Sequence, residues 1–159
     1  MGFYHIEQIC LNGHLITNLA DKYPELCQSH CSCCGASTIT HCPTCNFPLH
    51  GNYDRGMSRT IASTSVDAYF YNCGAPYPWT EIAIQSTSQV IMQEKELADI
   101  DKNSMIESLP DIITETPKTS LAALRLKKGL SSVGKFTADA IRQFIIDFGC
   151  ELAIKLLDL

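Results

Sequence analysis

Five cysteines and two histidines lie within sixteen residues of this chain, in the stretch HCSCCGASTITHCPTC. The stretch contains two Cys-x-x-Cys pairs, Cys31 with Cys34 and Cys42 with Cys45. Such a pair presents two thiolates to one ion from a single turn, and a structural zinc site takes four ligands in a tetrahedron. Because Cys42 follows Cys34 by only eight positions, the two pairs are too close to share one ion easily. We therefore expect two metal sites, each completed by ligands from elsewhere.

The ligands that complete the first site stand upstream, in CLNGH. Cys10 and His14 bring a thiolate and an imidazole to one ion across a turn that Asn12-Gly13 favours. The first predicted site is therefore a zinc site made of four residues: Cys10, His14, Cys31 and Cys34.

The second predicted site has three clear ligands, Cys42, Cys45 and Cys73. In YFYNCG, Phe70 stands where the first cysteine of a pair would be. Five nearby residues are candidates for the fourth ligand, and the other possibility is that the site holds no ion. The candidates are His50, His41, His30, Cys33 and Cys27. An open coordination position is what a catalytic zinc needs. A lost ligand replaced by an apolar side chain is the alternative that we favour.

Composition argues for metal sites rather than disulfides. Nine cysteines suit a secreted disulfide scaffold, but the start MGFYHIEQIC has neither a positive segment nor an apolar one of the kind found in secretory signals. We expect a cytoplasmic, reduced protein. No apolar run approaches eighteen residues, so we expect no membrane span. The net charge of −5 gives no overall basic field for nucleic acid.

Several motifs resemble one bacterial family, the domain of unknown function 2321 (DUF2321) family, a group of zinc-ribbon proteins. They are CLNGH, CSCCGASTITHCPTC, GNYD, NCGAPYPWTE and LPDIITETPKTSLAALRLKK. The resemblance covers nearly the whole chain. It implies two zinc ions, the second held by Cys42, Cys45, Cys73 and a cysteine at the position that Phe70 occupies here. The resemblance implies an architecture more than an activity, and Cys27 and Cys33 are additional to its pattern.

The distribution of cysteines predicts two parts. Eight of nine cysteines precede residue 74, so we expect an α+β protein with a zinc-ribbon module over residues 1–79, a small β structure with one or two zinc knuckle pairs. A C-terminal α-helical bundle follows over residues 80–159. Its predicted helices start at Thr80 as N-cap, run from Asp99 to Leu109, and start again at Thr116-Pro117.

The last predicted helix, over residues 137–159, is apolar on more than one face. A chain this small has little else to cover those faces. We therefore expect a homo-oligomer, or docking to a protein partner, through residues 117–159. Cys150 is expected to be a small core residue.

Three functions are compatible with these features. We favour a zinc-binding structural or adaptor protein. The alternative is a nucleic-acid-binding zinc ribbon, which would use Arg55, Arg59 and the six basic residues of 118–142. A metal-dependent hydrolase is the least favoured, because no His-Glu-x-x-His pair supplies a general base.

Overall fold

The computed structural model of the chain describes residues 1–56 and 65–159. The described residues form two compact units, Met1–Thr80 and Glu81–Leu159. Their strands all lie in the first unit and their α-helices follow from residue 78 onward, so the protein is α+β. The predicted roles of the two parts, as a zinc-ribbon module and an oligomerisation region, stay predictions.

Five short strands form two antiparallel sheets. One sheet has the order β1-β5 and the other the order β3-β2-β4. The strands are β1 (Phe3–Ile6), β2 (Gln8–Cys10), β3 (Leu15–Thr17), β4 (Thr38–Ile39) and β5 (His50–Asp54). The segment STIT, predicted as a strand between the two Cys-x-x-Cys turns, supplies β4. Within residues 1–56 and 65–159 no strand exceeds five residues, and sheets this small need support from other contacts.

Three stacked rings support the first unit, and we call them the aromatic column. Phe70 stacks on Tyr77 with ring centroids 3.9 Å apart, and Tyr77 stacks on Trp79 at 4.4 Å. None of the three is more than 6% exposed. Trp79 donates its indole N–H to the carbonyl of Asp67 at 3.1 Å. It also packs against Gly13, where an added Cβ would lie 3.0 Å from its ring. The column therefore connects the segment before the first helix with the β2–β3 loop.

Glu7 is a buried carboxyl between β1 and β2. Burial raises its pKa from 4.5 to about 7, and the negative charge of Asp67 adds to the shift. Burial also raises the pKa of Tyr77, and the charge of Glu7 is the next largest cause. Because the folded state holds the proton more tightly than the unfolded chain, Glu7 contributes stability that is complete below pH 4.5 and is lost as pH rises through about 7.

We predict that Glu7→Gln removes this pH dependence, because the amide cannot ionise. Between pH 6 and pH 8 the free energy of unfolding of the unsubstituted protein should fall by about 1 kcal/mol relative to the variant. Urea denaturation of both proteins at the same fixed zinc concentration measures their free energies of unfolding. Subtracting one pH profile from the other cancels the titration of all other groups. Parallel pH profiles for the two proteins would contradict the raised pKa.

Five α-helices follow along the described chain. They are α1 (Pro78–Met92), α2 (Asp99–Ile113), α3 (Thr119–Leu130), α4 (Lys135–Phe148) and α5 (Glu151–Leu156). The prediction of Thr80 as the N-cap of the first helix is wrong, because α1 begins at Pro78. Proline suits a first helical position, where its missing N–H is not needed. Thr80 is buried and donates its hydroxyl to the carbonyl of Ala68 at 2.9 Å.

Two further predicted helix boundaries are displaced. Pro110 does not end α2, which continues to Ile113. Ile112 is fully buried, and this packing offsets the hydrogen bond that proline removes. Helix α3 begins at Thr119, three residues after the predicted cap Thr116. The Thr119 hydroxyl accepts the Thr116 N–H at 2.9 Å and satisfies that donor.

The apolar segment 137–159, predicted as one helix, is two helices separated at Gly149. Gly149 has an extended conformation, with φ −70° and ψ 145°. The N–H of the next residue, Cys150, donates to the carbonyl of Ile112 in α2 at 2.8 Å. The chain therefore changes direction, and a single all-round apolar helix does not form. No helix of the described residues is long and apolar enough to cross a membrane.

The core of the second unit comes from one side of each helix. Its fully buried side chains include Ile91, Met105, Leu109, Ile112, Leu126, Ile141 and Ile145. Gly129 of α3 faces Met105 of α2 so closely that an added Cβ would lie 2.2 Å from the Met105 sulfur. The lack of a side chain at Gly129 therefore allows α2 and α3 to pack closely.

Two neighbouring isoleucines of α4 differ sharply in burial, and they test this packing. Ile145 is 0% exposed and Ile146 is 53% exposed. We predict that Ile145→Ala lowers the free energy of unfolding by about 2–5 kcal/mol, because it leaves a cavity. At a protein concentration low enough to keep the chain monomeric, the control Ile146→Ala should cost less than about 1 kcal/mol. Urea denaturation followed by circular dichroism measures both, and equal losses would contradict the packing of α4.

Candidate metal centre

Three turns of the first unit share one set of backbone hydrogen bonds, and we call them knuckles 1, 2 and 3. They span residues 31–36, 42–47 and 70–75. In each, the first residue donates its N–H to the carbonyl of the sixth, and the fifth donates to the carbonyl of the first, all at 2.8–2.9 Å. An isolated antiparallel bridge closes each knuckle; the bridges are His30↔Ser37, His41↔Pro48 and Tyr69↔Pro76.

The fifth residue of each knuckle has a left-handed backbone. Gly35, Asn46 and Gly74 have φ values of 74°, 58° and 69°. Glycine adopts this conformation without steric cost, and asparagine is among the side chains that tolerate it best. The sequence Cys-x-x-Cys followed by glycine or asparagine therefore encodes the turn locally.

Four predicted ligands converge at what we call site 1. The ligand atoms of Cys10, His14, Cys31 and Cys34 all lie within 4.8 Å of one another. Cys10 ends β2 and His14 directly precedes β3, so the β2–β3 loop presents both. Knuckle 1 presents Cys31 and Cys34, and the pairing of Cys10 with Thr38 of β4 holds it beside β2.

The distances between the donor atoms of site 1 fit a zinc tetrahedron. Cys10 Sγ lies 3.8 Å from Cys34 Sγ and 3.4 Å from His14 Nδ1, and Cys31 Sγ lies 3.7 Å from the same nitrogen. Bonds of about 2.3 Å to sulfur and about 2.0–2.1 Å to nitrogen give tetrahedral edges of about 3.8 Å between sulfurs and about 3.5 Å between sulfur and nitrogen. A single ion of this size can contact all four donors.

Hydrogen bonds reach two sulfurs of site 1, those of Cys10 and Cys34, although burial raises the pKa of the Cys10 thiol. The His14 N–H donates to Cys10 Sγ at 3.2 Å, and Asn12 Nδ2 donates to Cys34 Sγ at 3.4 Å. The backbone N–H of Ala36, followed by the Asn12 amide, lowers the pKa of the Cys34 thiol. Donors aimed at a thiolate favour its charged form, which is the form that binds metal.

Three predicted ligands converge at what we call site 2. The sulfurs of Cys42, Cys45 and Cys73 lie within 4.8 Å of one another, with 3.7 Å between those of Cys42 and Cys73. Asn72 Nδ2 donates to Cys45 Sγ at 3.7 Å. The N–H of Phe47, assisted by Asn72, lowers the pKa of Cys45 to about 7. The site therefore repeats the electrostatic arrangement of site 1.

Site 2 has no fourth donor of the usual kinds. Among the described residues, no further Cys, His, Asp or Glu joins the three sulfurs within 4.8 Å, and the sequence of 57–64 contains none of these residue types. The five candidates for a fourth ligand therefore lie elsewhere; they are His30, His41, His50, Cys27 and Cys33. Phe70, the first residue of knuckle 3, is buried and contributes no donor atom.

Several of the other predicted residues have different surroundings. His50 lies between Tyr4 and Tyr71, with ring centroids 4.0 and 3.5 Å away. Cys27 directs its thiol to the carbonyl of Ala20 at 3.9 Å. The exposed Cys33 and the half-buried Cys150 belong to neither site.

The predicted basic surface is described only in part. Arg55 is exposed, and Arg59 lies outside the described residues. Lys127 and Arg142 of the 118–142 segment form ion pairs with Asp158 and Asp139 at 2.7 and 3.3 Å.

Two asparagines contribute to the sites without having been predicted. Asn12 and Asn72 each donate a side-chain amide to a sulfur from the opposite side of a site. One signal was available in the sequence. Asn12 lies two positions after Cys10, and Asn72 lies two positions after Phe70, so each asparagine has the same place in its turn. Polar residues at such positions are common in turns, so the placement did not identify them as sulfur partners.

The two sites differ in what they can do chemically. Site 1 offers four donors to one ion and leaves no position for a substrate or a reactive water, which is the arrangement of a structural metal. Site 2 offers three thiols. Both Cys/His clusters can hold a metal ion.

Comparison with known proteins shows which family the chain is related to. The search of curated proteins and the search of solved structures gave no match. A family model, described as "Uncharacterized protein conserved in bacteria (DUF2321)", matches residues 3–157. The resemblance predicted from the motifs is confirmed, and the chain belongs to this bacterial family.

Proposed function

We propose that the protein is a zinc-binding structural and interaction protein whose first unit is a zinc ribbon organised by site 1. The observation that carries the proposal is the spacing of the four donor atoms Cys10 Sγ, His14 Nδ1, Cys31 Sγ and Cys34 Sγ, which fits tetrahedral zinc. Zinc is favoured among metals because thiolate and imidazole together suit it.

The small core of the first unit supports a structural role for this ion. Its largest fully buried side chains are Ile9, Leu49 and Tyr77, with Thr80. Such a core stabilises a domain only weakly, and small domains commonly add a metal to compensate. Zinc that joins the β2–β3 loop to knuckle 1 contributes its binding free energy to folding.

We predict that Cys31→Ser abolishes zinc binding at site 1 and unfolds the first unit, because a serine hydroxyl does not ionise to replace the thiolate. Cys33→Ser is the matched control: it removes a thiol two positions away that belongs to neither site. Elemental analysis gives zinc per chain, and hydrogen exchange reports the folding of residues 1–56 and 65–80. Slow exchange in a zinc-free Cys31→Ser protein would contradict the structural role.

The second part of the proposal is self-association through residues 117–159. Large apolar side chains are exposed along the last three helices; they are Leu121, Leu124, Phe136, Ile146 and Leu156. Soluble monomers seldom expose many such groups together. Two basic residues of this region, Lys127 and Arg142, are paired with acids of the same unit, which favours a protein partner over nucleic acid. A second copy of the chain is the partner that we propose.

Light scattering at micromolar concentration tests the assembly. We predict a mass of two or more chains, each of 17.6 kDa. Replacing both Leu124 and Ile146 by glutamate should return the mass to 17.6 kDa. The control is Leu26→Glu in the first unit, where a leucine of similar exposure, 50%, is changed. A mass of 17.6 kDa for the unsubstituted protein would contradict self-association.

A further inference from the structure

We propose that site 2 binds a soft closed-shell metal ion through three thiolates, and that Cu(I), not a second zinc, is its ion. The inference concerns Cys42, Cys45 and Cys73 alone, so it does not depend on the zinc proposed for site 1. It departs from the zinc that the family resemblance implies at this place, because the residues present do not supply a zinc tetrahedron.

Knuckle 3 has kept the turn of a metal-binding pair but has lost one ligand. Its backbone hydrogen bonds, Phe70 N–H to Ala75 and Gly74 N–H to Phe70 at 2.9 and 2.8 Å, match those of knuckles 1 and 2. The side chain of Phe70 therefore begins where Cys31 and Cys42 present their sulfurs. A phenyl group has no lone pair for a metal, so the first residue of knuckle 3 offers no ligand.

Knuckles 2 and 3 each have a buried first residue, and the one in knuckle 3 is aromatic. Cys42 is 1% exposed and Phe70 is 3% exposed. The rings of Phe70 and Tyr77 stack 3.9 Å apart. Phe70 therefore contributes to apolar packing and offers no donor to an ion. Cys73, in contrast, is exposed, so an ion can reach the sulfurs from solvent.

The three sulfurs are held for metal binding even without a fourth ligand. Thr44 and Cys45 donate their backbone N–H groups to Cys42 Sγ at 3.3 and 3.4 Å. Asn72 donates to Cys45 Sγ at 3.7 Å from knuckle 3. These donors, which belong to knuckles 2 and 3, orient the two sulfurs of knuckle 2 toward one place. The arrangement is that of a binding site and not of a cluster left by chance.

The number of ligands decides between the candidate ions. Structural zinc is almost always four-coordinate, and no fourth Cys, His, Asp or Glu joins the three sulfurs of site 2 among the described residues. Soft thiolate donors also select Cu(I), a closed-shell ion that is stable with three ligands in a plane. Three sulfurs without a fourth protein ligand therefore favour Cu(I).

Anaerobic titration of the zinc-loaded protein with Cu(I), in competition with a chromogenic Cu(I) chelator, tests the proposal. We expect one Cu(I) per chain without release of zinc. Cys45→Ser should lose this copper binding and keep its zinc, whereas Cys33→Ser should keep both. Phe70→Cys restores the fourth sulfur and should take up two zinc ions per chain where the unsubstituted protein takes one.

Three results would overturn the inference. They are two zinc ions bound by the unsubstituted protein, copper binding that Cys45→Ser leaves intact, and zinc retained at site 1 with no copper bound. The last of these leaves the proposed function standing. A protein without zinc before copper is added contradicts the proposed function instead, so the two failures are distinguishable.

Discussion

Four donor atoms from two separate pieces of chain converge at site 1, and in the proposed function the first unit depends on this convergence. Cys10 and His14 belong to the loop between β2 and β3, whereas Cys31 and Cys34 belong to a turn that begins seventeen residues after His14. Strands of two to five residues cannot by themselves hold such loops together. The short sheets and the small core are what we expect of a fold in which, as proposed, ligand geometry replaces much of the usual apolar packing.

The aromatic column links the two metal sites within this unit. Trp79 at one end packs on Gly13, inside the loop that carries the first two ligands of site 1. Phe70 at the other end is the residue that stands in place of a ligand at site 2. Tyr77 lies between them and is almost completely buried. The phenyl group of Phe70 thus belongs to the same apolar packing that reaches the loop of site 1.

Local chemistry made the metal sites predictable. A knuckle requires only six residues, and its left-handed fifth position is visible in the sequence as Gly35 or Gly74. The grouping of Cys10 with Cys31, and of Cys42 with Cys73, followed from spacing and from the family resemblance. The roles of Asn12 and Asn72 were not predictable, because they depend on which turns face each other.

Helix boundaries were predicted less well for a related reason. Pro110 reads locally as a helix end, but burial of Ile112 carries α2 past it. The separation of α4 and α5 at Gly149 depends on the hydrogen bond that the Cys150 N–H donates to the Ile112 carbonyl. This hydrogen bond joins residues that are far apart in sequence. Local propensity is a weak guide wherever tertiary contacts of this kind decide. Four helical segments were predicted where the described residues form five, and the start of α2 at Asp99 is the end that was placed correctly.

Knuckle 3 closes with the same hydrogen bonds as its counterparts although its first residue has no sulfur. Closure of such a turn is therefore a property of its own six residues, and turns of this length form in microseconds or less. Assembly of the two sites then requires finished turns to meet, across 16 residues between His14 and Cys31 and 24 between Cys45 and Phe70. The entropy of closing these loops grows only slowly with their length. A newly made chain can thus present its thiols in pairs before any metal arrives, so that each ion meets two ligands at its first collision.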